Sequence, residues 1–386
     1  MVQKNHINCL LTLLVGVILF ACEEPFNPNI DIKDYESMLV VEGIITDQTG
    51  PFSVRLSSSV PLDTSISEIP VNGADVVISD DNGNTYRLYS GGNGWYSTIN
   101  TNLKAEVGVS YMLNITTADG QQYESGIVTL EKGPEIEKVH FQESTRTNFA
   151  YSPPKEETWL DVFVNTKGED DKTSYVKWGF EETWEVRIPD EIKVADAMGN
   201  IHDDVVRPNE ELRHCWVSNS SNLIHVATTE KQEVNEILDY PIKSFAPRED
   251  MLNIKYSMLV TQYSMSKEMY NFWKKLKDNN ESLGSMFDKM PGAVYGNIQC
   301  CNENKKALGY FMASEVKQKR IFIDRTDHHL KTISGYQDCL YTYAPMSPSF
   351  IYFGQSMETR ASIYNSAQRC IDCLNVGTNT KPSFWE

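Results

Sequence analysis

The chain has 386 residues, a formal net charge of −18 at pH 7, and 40% hydrophobic and 11% aromatic residues. That apolar content supports sizeable cores and argues against disorder, and the length leaves room for two domains of about 100–200 residues each. An acidic chain without a basic stripe repels phosphate backbones, which argues against nucleic-acid binding.

Lys4 and His6 precede an apolar run from Cys9 to Phe20, which ends in Leu19-Phe20-Ala21-Cys22. A positive start, a short apolar core and a small residue before the cut predict a secretory signal. The run is too short to span a bilayer comfortably, which takes about 20 residues. Leu-x-Ala-Cys resembles the lipobox of bacterial lipoproteins. By that resemblance residues 1–21 are removed and Cys22 becomes an acylated N-terminus, anchored by roughly 0.8 kcal/mol per buried CH2. The alternative is an ordinary cleaved signal with a coincident cysteine. Residues 22–36 are polar, carry two prolines and read as a tether. Glu23-Glu24 resembles the surface-export signal of Bacteroidetes lipoproteins and implies the outer face of the outer membrane; a solvated linker is the plainer reading.

From Met38 the pattern is that of strands. Met38–Ile45 is β-branched, Phe52–Leu56 alternates with period two, and 74–78 and 86–89 flank Asp81-Asn82-Gly83-Asn84, a hairpin signal because Asn-Gly accepts positive φ. Residues 95–99, 111–115 and 122–125 follow, the last two around Asp119-Gly120. Some seven short strands with regular turns predict an immunoglobulin-like antiparallel sandwich over 37–133, closing near Glu131-Lys132-Gly133-Pro134. The remainder, 134–386, reads as a larger β-rich domain. Strands are expected at 159–164, 175–180, 183–188, 252–260, 308–312 and 320–323. Between them, 190–211 reads as an exposed polar loop. A helical insertion around 266–290 starts at Ser266, with Met269, Tyr270, Phe272, Trp273 and Leu276 on one broad face.

Apart from Cys9 and Cys22 the cysteines are Cys215, Cys300, Cys301, Cys339, Cys370 and Cys373. An even set in an exported chain predicts disulfides, with 15 possible pairings of six and no way to choose between them. Cys339, Cys370 and Cys373 suggest a stapled C-terminus, and adjacent Cys300 and Cys301 are expected to find different partners.

Residues with chemical potential have plainer readings. Cys370-Ile371-Asp372-Cys373 has redox or metal spacing but lacks a βαβ setting and a second close pair. His328-His329 near Asp324 and Asp327 reads as a solvated turn, and Asp80-Asp81-Asn82-Gly83 as a hairpin, not a calcium loop. His214 beside Cys215 has no elbow motif around it. Acid pairs at Glu156-Glu157, Asp170-Asp171, Glu181-Glu182 and Asp203-Asp204 could supply a glycosidase pair but read as solvated faces. Trp159, Trp178 and Trp184 read as core. Tyr341, Tyr343, Phe350, Tyr352 and Phe353, interleaved with prolines, could present rings to a partner. No catalytic residue, metal site or cofactor is assigned.

One set of motifs carries more. The strand ending at Leu259–Val260 leads through Tyr263-Ser264-Met265-Ser266 into a Tyr270-Asn271-Phe272-Trp273 helix. Gly296-Asn297-Ile298, Leu308-Gly309-Tyr310-Phe311 and Lys319–Ile323 follow, and the chain ends in Cys370–Cys373, Gly377-Thr378 and Lys381–Trp385. From about Tyr35 to Trp385 this resembles the Bacteroidetes lipoprotein family filed as domain of unknown function 4249. Paired Cys300-Cys301 departs from the family pattern, where at most one cysteine is expected. The resemblance implies an outer-membrane lipoprotein working beside a TonB-dependent transporter, and no reaction. The expected role is therefore a non-enzymatic accessory or ligand-binding surface lipoprotein, held to the membrane through Cys22. A surface hydrolase using paired carboxylates, or a structural or adhesion lipoprotein, are the alternatives.

Overall fold

The computed structural model describes residues 37–60, 68–195, 201–281, 293–301, 305–332, 340–342 and 372–386, with backbone alone for 192–195, 201–206 and 340–342. The signal, the tether, Cys22, Cys339 and Cys370 lie outside the described residues. The protein is mainly β, with one α-helix among the described residues.

The first nine strands are β1 (Leu39–Thr46), β2 (Ser53–Ser58), β3 (Ile69–Pro70), β4 (Asp75–Asp80), β5 (Thr85–Gly92), β6 (Trp95–Ser97), β7 (Ser110–Thr116), β8 (Gln122–Ser125) and β9 (Val128–Thr129). Both predicted hairpins form. Thr85 pairs with Ser79 across the Asn-Gly turn, where the Asp80 carboxylate accepts from Asn84 N at 2.8 Å and Tyr86 Oη at 3.0 Å, so this acid organises a turn. Thr116 pairs with Gln122 across Asp119-Gly120. Alternation turns Val54, Leu56, Val76, Ile78, Leu113 and Ile115 into one core.

The second body contains β10 (Glu135–Asn148), β11 (Lys155–Lys167), β12 (Tyr175–Arg187), β13 (Ile192–Ala195), β14 (Ile201–Val206), β15 (His214–Ser220), β16 (His225–Thr228), β17 (Glu236–Phe245) and β18 (Lys255–Ser264). Helix α1 (Lys267–Glu281) follows, then β19 (Ile298–Cys300), β20 (Ala307–Ser314), β21 (Val316–Asp324) and β22 (Leu340–Thr342). A three-stranded sheet, β10-β11-β17, faces a larger one ordered β15-β12-β18-β21, with β16 also on β12. Leu160, Val162 and Val164 of β11 meet Trp178, Tyr256 and Val260 across the gap. The two runs expected at 175–180 and 183–188 are one 13-residue strand, β12, shared by β15, β16 and β18. Residues 190–211, expected as a loop, contain an antiparallel β13–β14 pair with β22 parallel to β13; a register shift between Lys193 and Ala195 breaks the alternation that would have shown it. In α1, Ser266 Oγ accepts from Met269 N at 3.3 Å, and Met269 and Phe272 are buried against Tyr310 and Met312, as the predicted face requires.

Strand pairing crosses the boundary expected after Gly133. β19 and β20, late in sequence, join the first body: β19 lies antiparallel to β8, and β20 runs parallel to β1 from Leu39↔Ala307 to Thr46↔Ser314. The result is an 11-stranded sheet ordered β19-β8-β7-β4-β5-β6-β2-β1-β20, with β3 on β2 and β9 on β7. A Gln299↔Lys306 bridge brings its two end strands together. The Asn297 amide closes the seam like an extra strand residue. Its Oδ1 accepts from Phe311 N at 3.0 Å and its Nδ2 donates to Phe311 O at 2.8 Å. A Cβ on Gly296 would sit 1.6 Å from Gly309 O, so the approach admits only glycine there.

Asn297→Ala leaves the Phe311 N–H and C=O unpaired, at a cost of about 2 kcal/mol. A urea unfolding midpoint unchanged from wild type would show that the seam does not depend on this amide.

Candidate functional site

A cavity of about 310 Å3 lies where the two bodies meet. Val107, Gly108 and Thr129–Pro134 line it from the first body and its exit, and Gly168, Glu169, Lys172–Ser174 and Asn235 from the second. Its floor is a closed hydrogen-bond chain. Thr229 Oγ1 donates to Asn235 Oδ1 at 2.7 Å and accepts from Ser174 N at 3.0 Å, while Asn235 Nδ2 donates to Glu169 O at 2.8 Å. At the rim, Glu169 meets Lys172 at 2.7 Å and Lys132 at 2.9 Å. Hydrogen bonds from Lys172 and then Lys132 pull the Glu169 carboxyl down to about 2. The charged turn after β11 thus clasps the connector leaving the first body. The cavity offers a small recess of mixed polarity at an interface, a common place for ligands.

Two carboxylates are buried elsewhere. Glu182 of β12 points into the second sandwich, where its Oε2 accepts from Tyr256 Oη at 2.7 Å and Lys243 Nζ at 2.5 Å, and its Oε1 from Asn219 Nδ2 at 3.3 Å. Burial, reinforced by Glu182, pushes the Tyr256 phenol well above its ordinary value. Asp161 of β11 faces the opposite side of the three-stranded sheet and is bonded by Ser144, Arg146 and Ser244. Burial pushes Asp161 upward, but the bonds from Ser244, Ser144 and Arg146 outweigh it and hold the carboxyl low. Glu182, on the larger sheet, lies in the gap between the two sheets and Asp161 on the far side of the three-stranded one, so they do not converge on a common cleft as a glycosidase pair must. The expectation that Glu181-Glu182 is a solvated pair fails for Glu182, which is buried while Glu181 is exposed. Strict alternation through Trp178, Phe180 and Glu182 was the signal: it sets all three on one face.

With this geometry in view, the family model described as domain of unknown function 4249 matches residues 23–320. The chain belongs to that family. None of the curated proteins matches it. The family match begins one residue after Cys22 and ends inside β21, so the C-terminal segment of the structure lies beyond it.

That segment is docked on the larger sheet of the second body. Cys373 forms a disulfide with Cys215 of β15, 158 residues away, so it is not half of a local redox pair with Cys370. Trp216 and Thr378 exchange backbone hydrogen bonds at 2.8 and 3.0 Å, and Trp385 packs edge-on against Trp216 and Phe322. Arg320 lies 3.6 Å over Phe384. Cys300 is half-buried with its thiol 3.9 Å from Gln121 Oε1, and Cys301 is exposed. His214 bonds Glu185 at 2.7 Å, while its neighbour Cys215 is already bridged. His328 is buried whereas His329 is exposed and bonded to Glu143, so the two rings do not share a site.

His225 is buried beside Phe180 and Tyr240. Burial, then Lys277 and Lys177, depresses its pKa to about 4.

The unfolded chain protonates His225 near its ordinary value of 6.5. The folded chain does so only near 4, so the stability held above pH 6.5 is lost as pH falls toward 4. The loss attributable to this ring is on the order of 3 kcal/mol. His225→Phe is expected to flatten the unfolding free energy between pH 6.5 and 4; an unchanged slope assigns the dependence elsewhere. Lys243→Met strands the Glu182 charge at a cost of about 3–5 kcal/mol, and adding Glu182→Leu recovers most of it. Additive losses in urea unfolding of the double variant would mean that the pair is not coupled.

Proposed function

We propose that this is a non-enzymatic, lipid-anchored protein of the outer-membrane surface that serves as the accessory or ligand-binding partner of a TonB-dependent transporter or another envelope complex. The observation that carries this reading is Leu19-Phe20-Ala21-Cys22, set immediately ahead of the family match and followed by Glu23-Glu24. Acyl chains on Cys22 hold the protein to the bilayer, and the polar stretch 22–36 lets the sandwiches stand off from it. Support also comes from the cavity of about 310 Å3 between the bodies, large enough for a small ligand, and from buried carboxylates that are engaged in structural bonds. The membership of a Bacteroidetes lipoprotein family, and the surface orientation, belong to the same reading.

Cys22→Ala is expected to move the protein from the membrane fraction to the soluble one. Wild-type protein drawn from native membranes in mild detergent is expected to bring a stoichiometric outer-membrane barrel with it. Membrane retention of the variant overturns the anchor, and recovery without any barrel overturns the partner.

A further inference from the structure

On the outside of the first body, strand register assembles a platform whose side chains do not line the cavity. Val54, Leu56, Leu88 and Tyr96 point into the core, so the intervening side chains of β2, β5 and β6 point out. Trp95 stands opposite Arg55, Ser97 opposite both Ser53 and Tyr89, and Glu42 opposite Arg55. Trp95 is 46% exposed and Tyr89 52%. As diagonal neighbours on adjacent strands their Cα atoms are about 7–8 Å apart, close enough for both rings to meet one chain of sugar units. Gly92 pairs with Trp95, and a side chain at Gly92 would stand in open space. The strand beside the indole is therefore a bare shelf.

The polar groups around the rings decide the ligand. Arg55 is engaged by Glu68 and lies 3.9 Å from Glu42, with its guanidinium carbon 5.7 Å from the Trp95 ring centre. Arg87, next along β5 on the same face, forms a two-point bond with Asp75 at 2.9 and 2.5 Å. Ser53 Oγ and Ser97 Oγ are 2.9 Å apart. Each cation on the face already has its carboxylate, so an anionic chain gains no free positive charge and meets Glu42, Glu68 and Asp75. An uncharged polyol finds what suits it: ring faces for its C–H surfaces, and hydroxyl, carboxylate and guanidinium groups for its hydroxyls. Ile44, 37% exposed opposite Ser53, is one apolar side chain among serines and ion pairs, less than the contiguous apolar patch that would serve a protein partner.

We propose that the outer face of β1-β2-β6-β5 binds a neutral polysaccharide, with Trp95 and Tyr89 as the stacking residues. The inference stands apart from the transporter reading and fails or survives separately. The test is affinity electrophoresis of the full-length protein in mild detergent through native gels containing xyloglucan, galactomannan, soluble starch, laminarin or dextran, with polygalacturonate as the anionic comparison. Retardation by at least one neutral polymer is expected. Trp95→Ala should weaken it at least tenfold and Tyr89→Ala about threefold, both with a cooperative thermal unfolding transition retained, because about half of each ring already faces solvent. No retardation by any neutral polymer overturns the proposal, as does retardation by polygalacturonate alone or binding undiminished in Trp95→Ala. A Trp95→Ala protein that loses a co-purifying barrel, when wild type binds no polymer, reassigns the face to a protein contact.

Discussion

The architecture depends on one stretch of chain serving two sheets. Residues 307–324 run as β20 against β1 of the first body and continue as β21 against β18 of the second, with Glu315 at the crossing. There the backbone is fixed from several directions. Glu315 N donates to Ser264 Oγ at 2.9 Å, Glu315 O accepts from Ser264 N at 3.0 Å, and Ser314 Oγ donates to Ser264 O at 2.8 Å. The mostly buried Glu315 carboxylate accepts from Gly133 N at 2.7 Å and meets Lys317 at 3.1 Å. Asp47 Oδ1, at the end of β1, takes the Val316 N–H at 2.8 Å. A polar chain crossing between two sandwiches would otherwise bury unpaired backbone groups, each costing about 1–3 kcal/mol. The connector, β1, β18 and the crossing strand supply those partners.

This sharing changes what the family-like motifs mean. Gly296-Asn297-Ile298 and Leu308-Gly309-Tyr310-Phe311 look, in sequence, like strand fragments within a second domain. In space they are the two sides of the seam that completes the first: Asn297 pairs with the Phe311 backbone, and Gly126 N donates to Asn297 O at 2.7 Å. The helix between β18 and β19 has a matching role. Its Met269 and Phe272 bury Tyr310 and Met312 of β20 along with Val226 of β16, so one small cluster touches both bodies. The first sandwich is therefore not a bead on a string. It is completed only after some 170 residues of the second body intervene, a high contact order that favours slow folding.

Much of this was legible from local pattern, and the failures have definite causes. Asn82-Gly83 and Asp119-Gly120 announce their hairpins because turn chemistry is local. Ser266 and the apolar face of α1 announce the helix for the same reason. Strand β17 carries no legible period two, because Asp239 takes a positive φ and Pro241 interrupts the run. β10 does not read as a strand because Glu137-Lys138 and Glu143 to Thr147 lie in its solvated part. The parallel pairing of β20 with β1 could not be read at all, since the partners lie some 268 residues apart and nothing local encodes the match. The cavity was invisible for a similar reason. Glu169 and Lys172 are one turn, but Lys132 reaches them only because the crossing strand fixes the connector beside it. Of the site residues read from sequence, Cys215 and Cys373 are brought together, a pairing that spacing alone could not select among 15.

The distribution of polar groups separates frame from surface. Inside, charged and hydroxyl groups are spent on one another: Glu182 on Tyr256 and Lys243, Asp161 on two serines and Arg146, Gln262 on Trp178, Thr166 and Pro134 O. A buried network so fully paired favours one arrangement, and breaking a member is costly. The outer face of the larger sheet is likewise occupied, because the C-terminal segment is stapled there through Cys373 and packed down by Trp385. The outer face of β1-β2-β6-β5 is different. Its Arg87–Asp75 pair is exposed and contributes little to stability, and its aromatic rings are about half exposed beside glycines that add no side chain. Rings of that size are ordinarily covered when they serve a core, as Trp178 and Tyr96 are. Trp95 and Tyr89 leave about half of each ring to solvent, and this is the physical ground for proposing a recognition role for them.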